Sequence, residues 1–272
     1  MSQVLDVSSD WLELRETEDA RARSRTLALA AAAMLPTRPI VVHDLGSGTG
    51  AMMRWLAPLL PGPQEWVLHD WNASLVERAV DGVRPCDRGN QPIAVRSRVG
   101  ELAALTAADL EGASLVTASA LLDVVTAREL QAIVEACAEV GSPVLLSLSV
   151  TGRVELNPGD PRDEAYERSF DAHQQRVADG RRMLGPDGPT MARALFQVAG
   201  WNVREVPTTW RLDDYEPRLL REWFDGWVDA AVEQSPDLSA ESAGYRELRR
   251  SQMAHAALSA VIHHVDLLAW PR

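Results

Sequence analysis

The sequence has no lysine, so all 27 of its Lys or Arg positions are arginine. A lysine Schiff base and the phosphate-gripping lysine of a Walker loop are therefore excluded. Cysteine is scarce too: Cys86 and Cys137 are the only two, they have no metal-type spacing, and two thiols cannot build a disulfide framework. No metal is expected, and the composition suits a reducing compartment. Long apolar runs are missing. The most apolar stretch, residues 27–35, is too short to span a bilayer, and residues 1–10 lack the basic-then-apolar order of a signal peptide. The expectation is a cytoplasmic protein without a membrane partner. Positive charge is also in deficit: 27 Lys plus Arg stand against 39 Asp plus Glu. A net charge of −12 argues against nucleic acid, which is bound by neutralising phosphates with clustered cations.

What is present is an ordinary globular balance of 46% hydrophobic and 24% charged residues, and 272 residues suffice to bury a full core. Residues 1–272 read as a single domain. Apolar runs of strand length at 40–45, 66–70, 93–96, 114–118 and 143–149 alternate with helical patterns, as in a parallel sheet joined by crossover helices. Asn72 stands before Leu75, Val76 and Ala79 as a helix start, and Thr126 with Glu129 makes a capping box that opens a helix over 127–140. Residues 17–35 read as one N-terminal helix stopped by Pro36 and Pro39. After the fifth strand the rhythm changes to a loop at 157–161 and a polar helix over 163–180. A last crossover helix at 190–199, a strand at 201–210, a helical pair at 217–234 and 240–258, and a final strand at 261–270 complete the chain. The fold class expected is α/β: a Rossmann-like, seven-stranded, mostly parallel sheet with helices on both faces. An N-terminal helix and helical insertions cover its substrate side.

The most informative segment is the first strand, ending in Asp44 and Leu45, which runs into Gly46, Ser47, Gly48, Thr49 and Gly50 and then a helix. Glycines serve where a backbone must turn tightly and come close to a ligand with no Cβ in the way. Asp70 ends the next strand, where a carboxylate can accept two hydrogen bonds from a ribose diol. The ligand is therefore expected to carry an adenosine. On these residues the chain resembles the class I S-adenosylmethionine-dependent methyltransferases, whose first motif is an acid, an apolar residue and Gly-x-Gly-x-Gly. Asp44, Gly46, Gly48 and Gly50 match it position by position, with Ser47 inside the loop.

The resemblance implies S-adenosyl-L-methionine as cofactor and methyl transfer to O or N of a small molecule by in-line displacement. It further implies Asp70 as the ribose-binding acid, Trp71 against the adenine, and Gly100, Glu101 and Leu102 at the turn that accepts the adenine amino group. Glutamate stands at 101 where the family more commonly has aspartate. Ser119 and Ala120 would lie beside the methionine part. Residues 1–38 are then a helical extension, 39–150 the cofactor-binding core, 151–189 a helical insertion, and 190–272 the last crossover helix, the terminal strands and the helical pair. Three alternatives stay open: a regulatory protein that binds the cofactor without turnover, a cyclase-like reaction on the same fold, and an NAD-dependent oxidoreductase. The last arises because Gly46, Gly48 and Ala51 also satisfy the dinucleotide pattern, although Asp44 has no place in it.

In such a sheet the crevice lies beyond the carboxyl ends of the strands, so substrate groups should come from those loops and from their covers. Two side chains are candidates for a base. His173 shares a helical face with Phe170 and Val177, and its bland alternative is a partly buried histidine satisfied by hydrogen bonds. Asp123, just past the fourth strand, is placed to orient or deprotonate a hydroxyl or amine, or simply to cap a turn. His43 and His69 alternate away from the acids beside them and read as structural. Trp223, Phe224, Trp227, Val228 and Ala231 recur at helical spacing, a stripe that reads as core, with a homodimer face or an aromatic substrate wall as alternatives.

Overall fold

A computed structural model describes residues 7–36, 39–178 and 180–272. Seven strands, β1 (Ile40–Leu45), β2 (Gln64–Asp70), β3 (Ala94–Val99), β4 (Leu115–Ser119), β5 (Val144–Asn157), β6 (Asn202–Leu212) and β7 (Ser259–Trp270), form one sheet in the order β3-β2-β1-β4-β5-β7-β6. The first five run parallel, and β7 lies antiparallel between β5 and β6. β1, β2 and β4 are near-continuous apolar runs because a parallel strand is buried on both faces. The strand order reverses at β1, which has β2 on one side and β4 on the other, and this switch point opens a crevice at their carboxyl ends. This is the Rossmann-like architecture the alternation predicts.

The helices follow from which face they cover. Leu27 and Ala31 of α2 (Arg25–Met34) and Met53 and Leu56 of α3 (Ala51–Leu56) pack with Trp66 and Leu68 on one face, joined by Val76 of α4 (Ala73–Asp81). Ile133 and Cys137 of α5 (Ala127–Val140) and Phe196 of α7 (Gly188–Val198) pack on Val116 and Leu146 on the other. A third cluster, over the far ends of β5, β6 and β7, joins Tyr166 of α6 (Asp163–Gln174), Phe224 of α8 (Pro217–Gln234) and Tyr245 of α9 (Ser239–Ala254) around Trp210. Among the described residues no helix is long and apolar enough to cross a membrane.

Three expectations are corrected. The N-terminal helix is two helices, α1 (Ser9–Ala22) and α2, because Ser24 is extended and caps α2, its Oγ accepting from Leu27 N at 3.3 Å. Its own N–H donates at 2.7 Å to the wholly buried Asp266 carboxylate, a tertiary partner that a helix running through Ser24 would lose. β5 extends to Asn157, since β7 continues beside it past two register shifts, so the start of the expected helical insertion is strand. The helix expected over 163–180 stops at Gln174, and Val177–Ala178 and Arg181–Arg182 then pair as a short antiparallel hairpin.

Candidate functional site

The glycine loop is fastened by its own backbone and by Asp70. Gly46, Gly48 and Gly50 have φ of +63, +50 and +82°, the left-handed region that glycine enters without penalty. A Cβ on Gly46 would lie 2.8 Å from Leu121 Cδ1, so the loop also requires the missing side chain for space. Ser47 N donates to His69 O at 3.0 Å, tying the loop to the end of β2. The Asp70 carboxylate accepts from Gly48 N at 2.8 Å with one oxygen and from Asn72 N at 2.9 Å with the other. Each oxygen keeps a second lone pair, which is what a ribose diol needs. The neighbouring Trp71 is 37% exposed and joins Glu101 and Leu102 along the same wall. Gly100 lies behind them, its N–H donating to Asp70 O at 3.0 Å.

Beyond the loop lies a cavity of about 400 Å³, bounded by the carboxyl ends of β1 and β4, by α1, and by the β5, α6 and α8 side chains. Asp44, 1% exposed, stands at its floor. Its Oδ1 accepts from Thr117 Oγ1 at 2.8 Å, while Oδ2 has no hydrogen-bond partner among the described residues. Burial pushes this carboxyl up to about 7, against the Thr117 bond and the Arg23 charge, which pull it down. Arg23 is the buried cation of the same end. Its Nε and Nη2 donate to Ser119 Oγ at 3.3 and 3.0 Å, Asp19 lies 3.6 Å from Nη2, and Nη1 is without a partner among the described residues. Burial lowers the guanidinium pKa, opposed first by Asp19. Two cavity-lining residues that are not glycine adopt left-handed backbone, Ala120 at φ +50° and Leu148 at φ +54°. Their N–H groups donate to Ser147 O at 2.9 Å and to Asp266 Oδ1 at 2.8 Å, bonds that hold a conformation costing about 1–3 kcal/mol where β4 and β5 meet the site.

The other end is aromatic. Trp11, Phe170, Trp210, Trp223 and Trp227 line it, so the α8 stripe is core through Phe224 and Val228 and cavity wall through its two tryptophans. Asp123 lines it as well. Burial pushes its carboxyl up to about 6, its Oδ2 accepts from Gln174 Nε2 at 3.4 Å, and its Oδ1 has no partner. His173 is not among the lining residues. Phe170 and Gln174, four apart on α6, take the cavity face, and His173 turns instead to α8, where its Nε2 lies 3.3 Å from Glu233 Oε2, and to Arg176 Nη1 at 3.1 Å from Nδ1. Burial, with Arg176, lowers its pKa.

The structure therefore brings Asp44, Gly46, Ser47, Gly48, Asp70, Trp71, Glu101, Leu102, Ser119, Ala120 and Asp123 to one cavity. Gly50 and Gly100 support it from behind. His43 and His69 pair with each other, Nδ1 to Nε2 at 2.9 Å, with no place in the cavity wall. Sequence reasoning missed one face of α1 and its C-cap, where Trp11, Arg15 and Asp19 on the helix and Arg23 just past its end succeed one another at four-residue steps and all line the cavity. That spacing is the signal, hidden when the helix is drawn from residue 17. No group of three or more His, Cys, Asp or Glu is arranged to hold a metal ion among the described residues.

No protein-family model matches the chain, and no curated protein matches it in sequence. Solved structures of similar fold include a cyclopropane synthase from Mycobacterium tuberculosis, at 12% identity and TM-score 0.49 over 97% of this chain and 95% of that one. A SAM-dependent methyltransferase from Thiobacillus denitrificans, in complex with S-adenosyl-L-homocysteine, is similar at 14% identity and TM-score 0.47 over 98% of this chain and 100% of that one. The YcgJ protein from Bacillus subtilis is similar at 13% identity and TM-score 0.47, over 91% and 98% of the two chains. At such identities the likeness is one of fold alone, and the chain's own strand order and glycine turn are what assign it to the Rossmann-like α/β class.

Proposed function

We propose that this protein binds S-adenosylmethionine in the crevice at the β1–β4 switch point and transfers its methyl group to O or N of a small molecule. The observation that carries the reading is a matched pair of buried, unpartnered groups at one end of the cavity, Asp44 Oδ2 and Arg23 Nη1. A buried polar atom without a partner costs about 1–3 kcal/mol, and an acceptor and a donor of opposite charge that line one end of a cavity complement an α-amino acid, ammonium to Asp44 and carboxylate to Arg23. At the other end of the loop, Asp70 and Trp71 offer a diol acceptor and an aromatic face. An amino acid joined to an adenosine fits both ends.

When bound, the cofactor supplies a methyl group on a sulfonium that departs as a neutral thioether. The protein's residues are left with holding, orienting and excluding water, tasks that alone can lower such a barrier by several kcal/mol. Arg23 and Asp44 fix the amino-acid end, Asp70 the ribose, and the tryptophans keep the acceptor end dry. The acidity of the chain supports a small molecule over nucleic acid as the acceptor. Calorimetric titration with S-adenosylmethionine, S-adenosylhomocysteine and NAD tests the reading. Micromolar binding of the first two is expected, weakened more than about tenfold in Arg23→Met and in Asp70→Ala. Binding of NAD alone would overturn it. Formation of S-adenosylhomocysteine with an acceptor separates turnover from binding.

A further inference from the structure

Twelve buried side-chain N or O atoms lack a hydrogen-bond partner among the described residues, and seven of them belong to residues lining this one cavity. Three, on Arg23, Asp44 and Ser47, fall at the glycine-loop end. At the aromatic end two are oxygens on neighbouring side chains, Asp123 Oδ1 and Gln174 Oε1. Their arrangement is set by the 3.4 Å contact in which Gln174 Nε2 donates one of its two N–H hydrogens to Asp123 Oδ2, which turns the amide nitrogen inward and leaves its oxygen as an acceptor. Two unpartnered oxygens on side chains in contact, both of them acceptors, call for a group that brings two hydrogens, most compactly on one atom. A hydroxyl brings one. An –NH₂ group brings two, and once both are held its nitrogen lone pair is the part left free to react.

The charges of the wall agree. The lining arginines at this end are already paired, Arg15 with Asp19, Arg153 with Glu155 and Arg181 with Glu129, so the described residues provide no spare cation for an anionic acceptor. Phe170, Trp223 and Trp227 supply apolar and aromatic faces for the body that carries the amine. Trp227 Nε1 is a further unpartnered atom and a donor, so that body also bears a lone pair for the indole N–H.

We propose that the methyl acceptor is a weakly basic primary aromatic amine, neutral at pH 7, gripped through its two N–H hydrogens by Asp123 and Gln174, with Asp123 taking the proton. The assignment rests on the methyltransferase reading above. As the nitrogen lone pair bonds to the transferred methyl carbon, the pair of the broken C–S bond stays on sulfur, leaving a thioether. One N–H bond breaks, and its proton passes to the Asp123 carboxylate, which becomes the neutral acid. A carboxyl held up to about 6 by burial is mostly ionised at neutral pH and basic enough to accept the proton of a weakly basic methylated amine.

Ligand-observed NMR at pH 7.5 with matched aryl pairs differing only in NH₂ against OH, both members neutral, tests the assignment: 4-ethylaniline and 4-ethylphenol, and 2-naphthylamine and 2-naphthol. Binding is measured with and without S-adenosylhomocysteine, on wild type, Asp123→Asn and Gln174→Met. In at least one pair the amine is expected to bind about tenfold more tightly than the alcohol, the worth of one charge-assisted hydrogen bond. Gln174→Met should erase that preference while leaving the alcohol, whose one hydrogen goes to Asp123, within about twofold, which shows that the pocket is still folded; Asp123→Asn should erase the preference and weaken the alcohol as well. Alcohols binding as well as amines, no amine binding at millimolar concentration, or a preference that survives Asp123→Asn would each overturn the proposal. The two readings fail separately. Amine preference without S-adenosylhomocysteine binding sinks the cofactor reading, and S-adenosylhomocysteine binding without amine preference sinks this one.

Discussion

Under the proposed cofactor assignment, Asp44 makes ligand binding a proton-releasing event. With its carboxyl held up to about 7 by burial, about half of the free molecules carry it as the neutral acid at pH 7. An ammonium donating to Oδ2 places an opposite charge at hydrogen-bond distance, which lowers a carboxyl pKa by roughly 1–3 units. The bound form is then almost fully ionised, and roughly 0.4–0.5 proton leaves per ligand at pH 7. Asp123, up to about 6, is about 10% protonated there and can add at most roughly 0.1. Calorimetric titration with S-adenosylhomocysteine in buffers of different ionisation enthalpy measures this number directly, and that ligand carries the ammonium without turnover. Release should vanish by about pH 8.5, where Asp44 is already ionised, and affinity should fall by up to about tenfold per pH unit on going from pH 7 towards 5. In Asp44→Asn the release at pH 7 should drop to roughly 0.1 or below. Tight wild-type binding with no release, or with proton uptake, would refute the pairing of Asp44 with the ligand's ammonium.

Two further outcomes follow from the loop and its support. Gly46→Ala combines a left-handed φ of +63° with a Cβ 2.8 Å from Leu121, so urea unfolding should show a loss of about 1–3 kcal/mol; a loss below about 0.5 would mean that the turn is not specified by glycine. Burial holds His43 and His69 down to about 3 and about 4, whereas the unfolded imidazoles protonate near 6.5. Above pH 6.5 neither state takes the proton and the pair has no pH effect. Below it the unfolded chain binds more protons, so stability falls as pH falls, by up to about 1.4 kcal/mol per unit for each histidine until the folded values are reached. Asp44 works in the opposite sense, so the informative quantity is the difference in slope between wild type and His69→Gln from pH 6.5 to 5. Parallel slopes would contradict a neutral buried pair.

The parts of the site that were legible in the sequence are those set by local chemistry. Asp44, Gly46, Gly48 and Asp70 lie where a strand ends and a turn must begin, and both the φ values and the spacing follow from neighbours in sequence. The capping box at Thr126 and Glu129 was readable for the same reason, with Thr126 N donating to Glu129 Oε2 at 2.8 Å. The misread parts depend on partners distant in the chain. Ser24 breaks a helix because Asp266, 242 positions later, takes its N–H. Gln174 and not His173 faces the cavity because Glu233, 60 positions later, turns the imidazole away. Arg23 is buried beside Ser119 across 96 positions, a contact that no periodicity encodes. Asp266 itself, a carboxylate with no exposure inside an apolar strand, was a visible anomaly whose meaning is tertiary: it collects Ser24 N, Leu148 N and the Thr208 hydroxyl.

Helix α1 forms a wall of both compartments. Leu12 stands over Gly48, 3.1 Å from where a Cβ would be, and Glu16 grips Arg54 behind the glycine loop at 2.6 Å. Trp11 and Asp19 on the same helix reach Trp210 of the aromatic end, one ring to ring at 6.4 Å and the other accepting the indole N–H at 3.1 Å. On the proposed reading, a single helix that touches both ligands ties the two occupancies together. Because linkage is reciprocal, the factor by which S-adenosylhomocysteine tightens an acceptor is the factor by which that acceptor tightens S-adenosylhomocysteine.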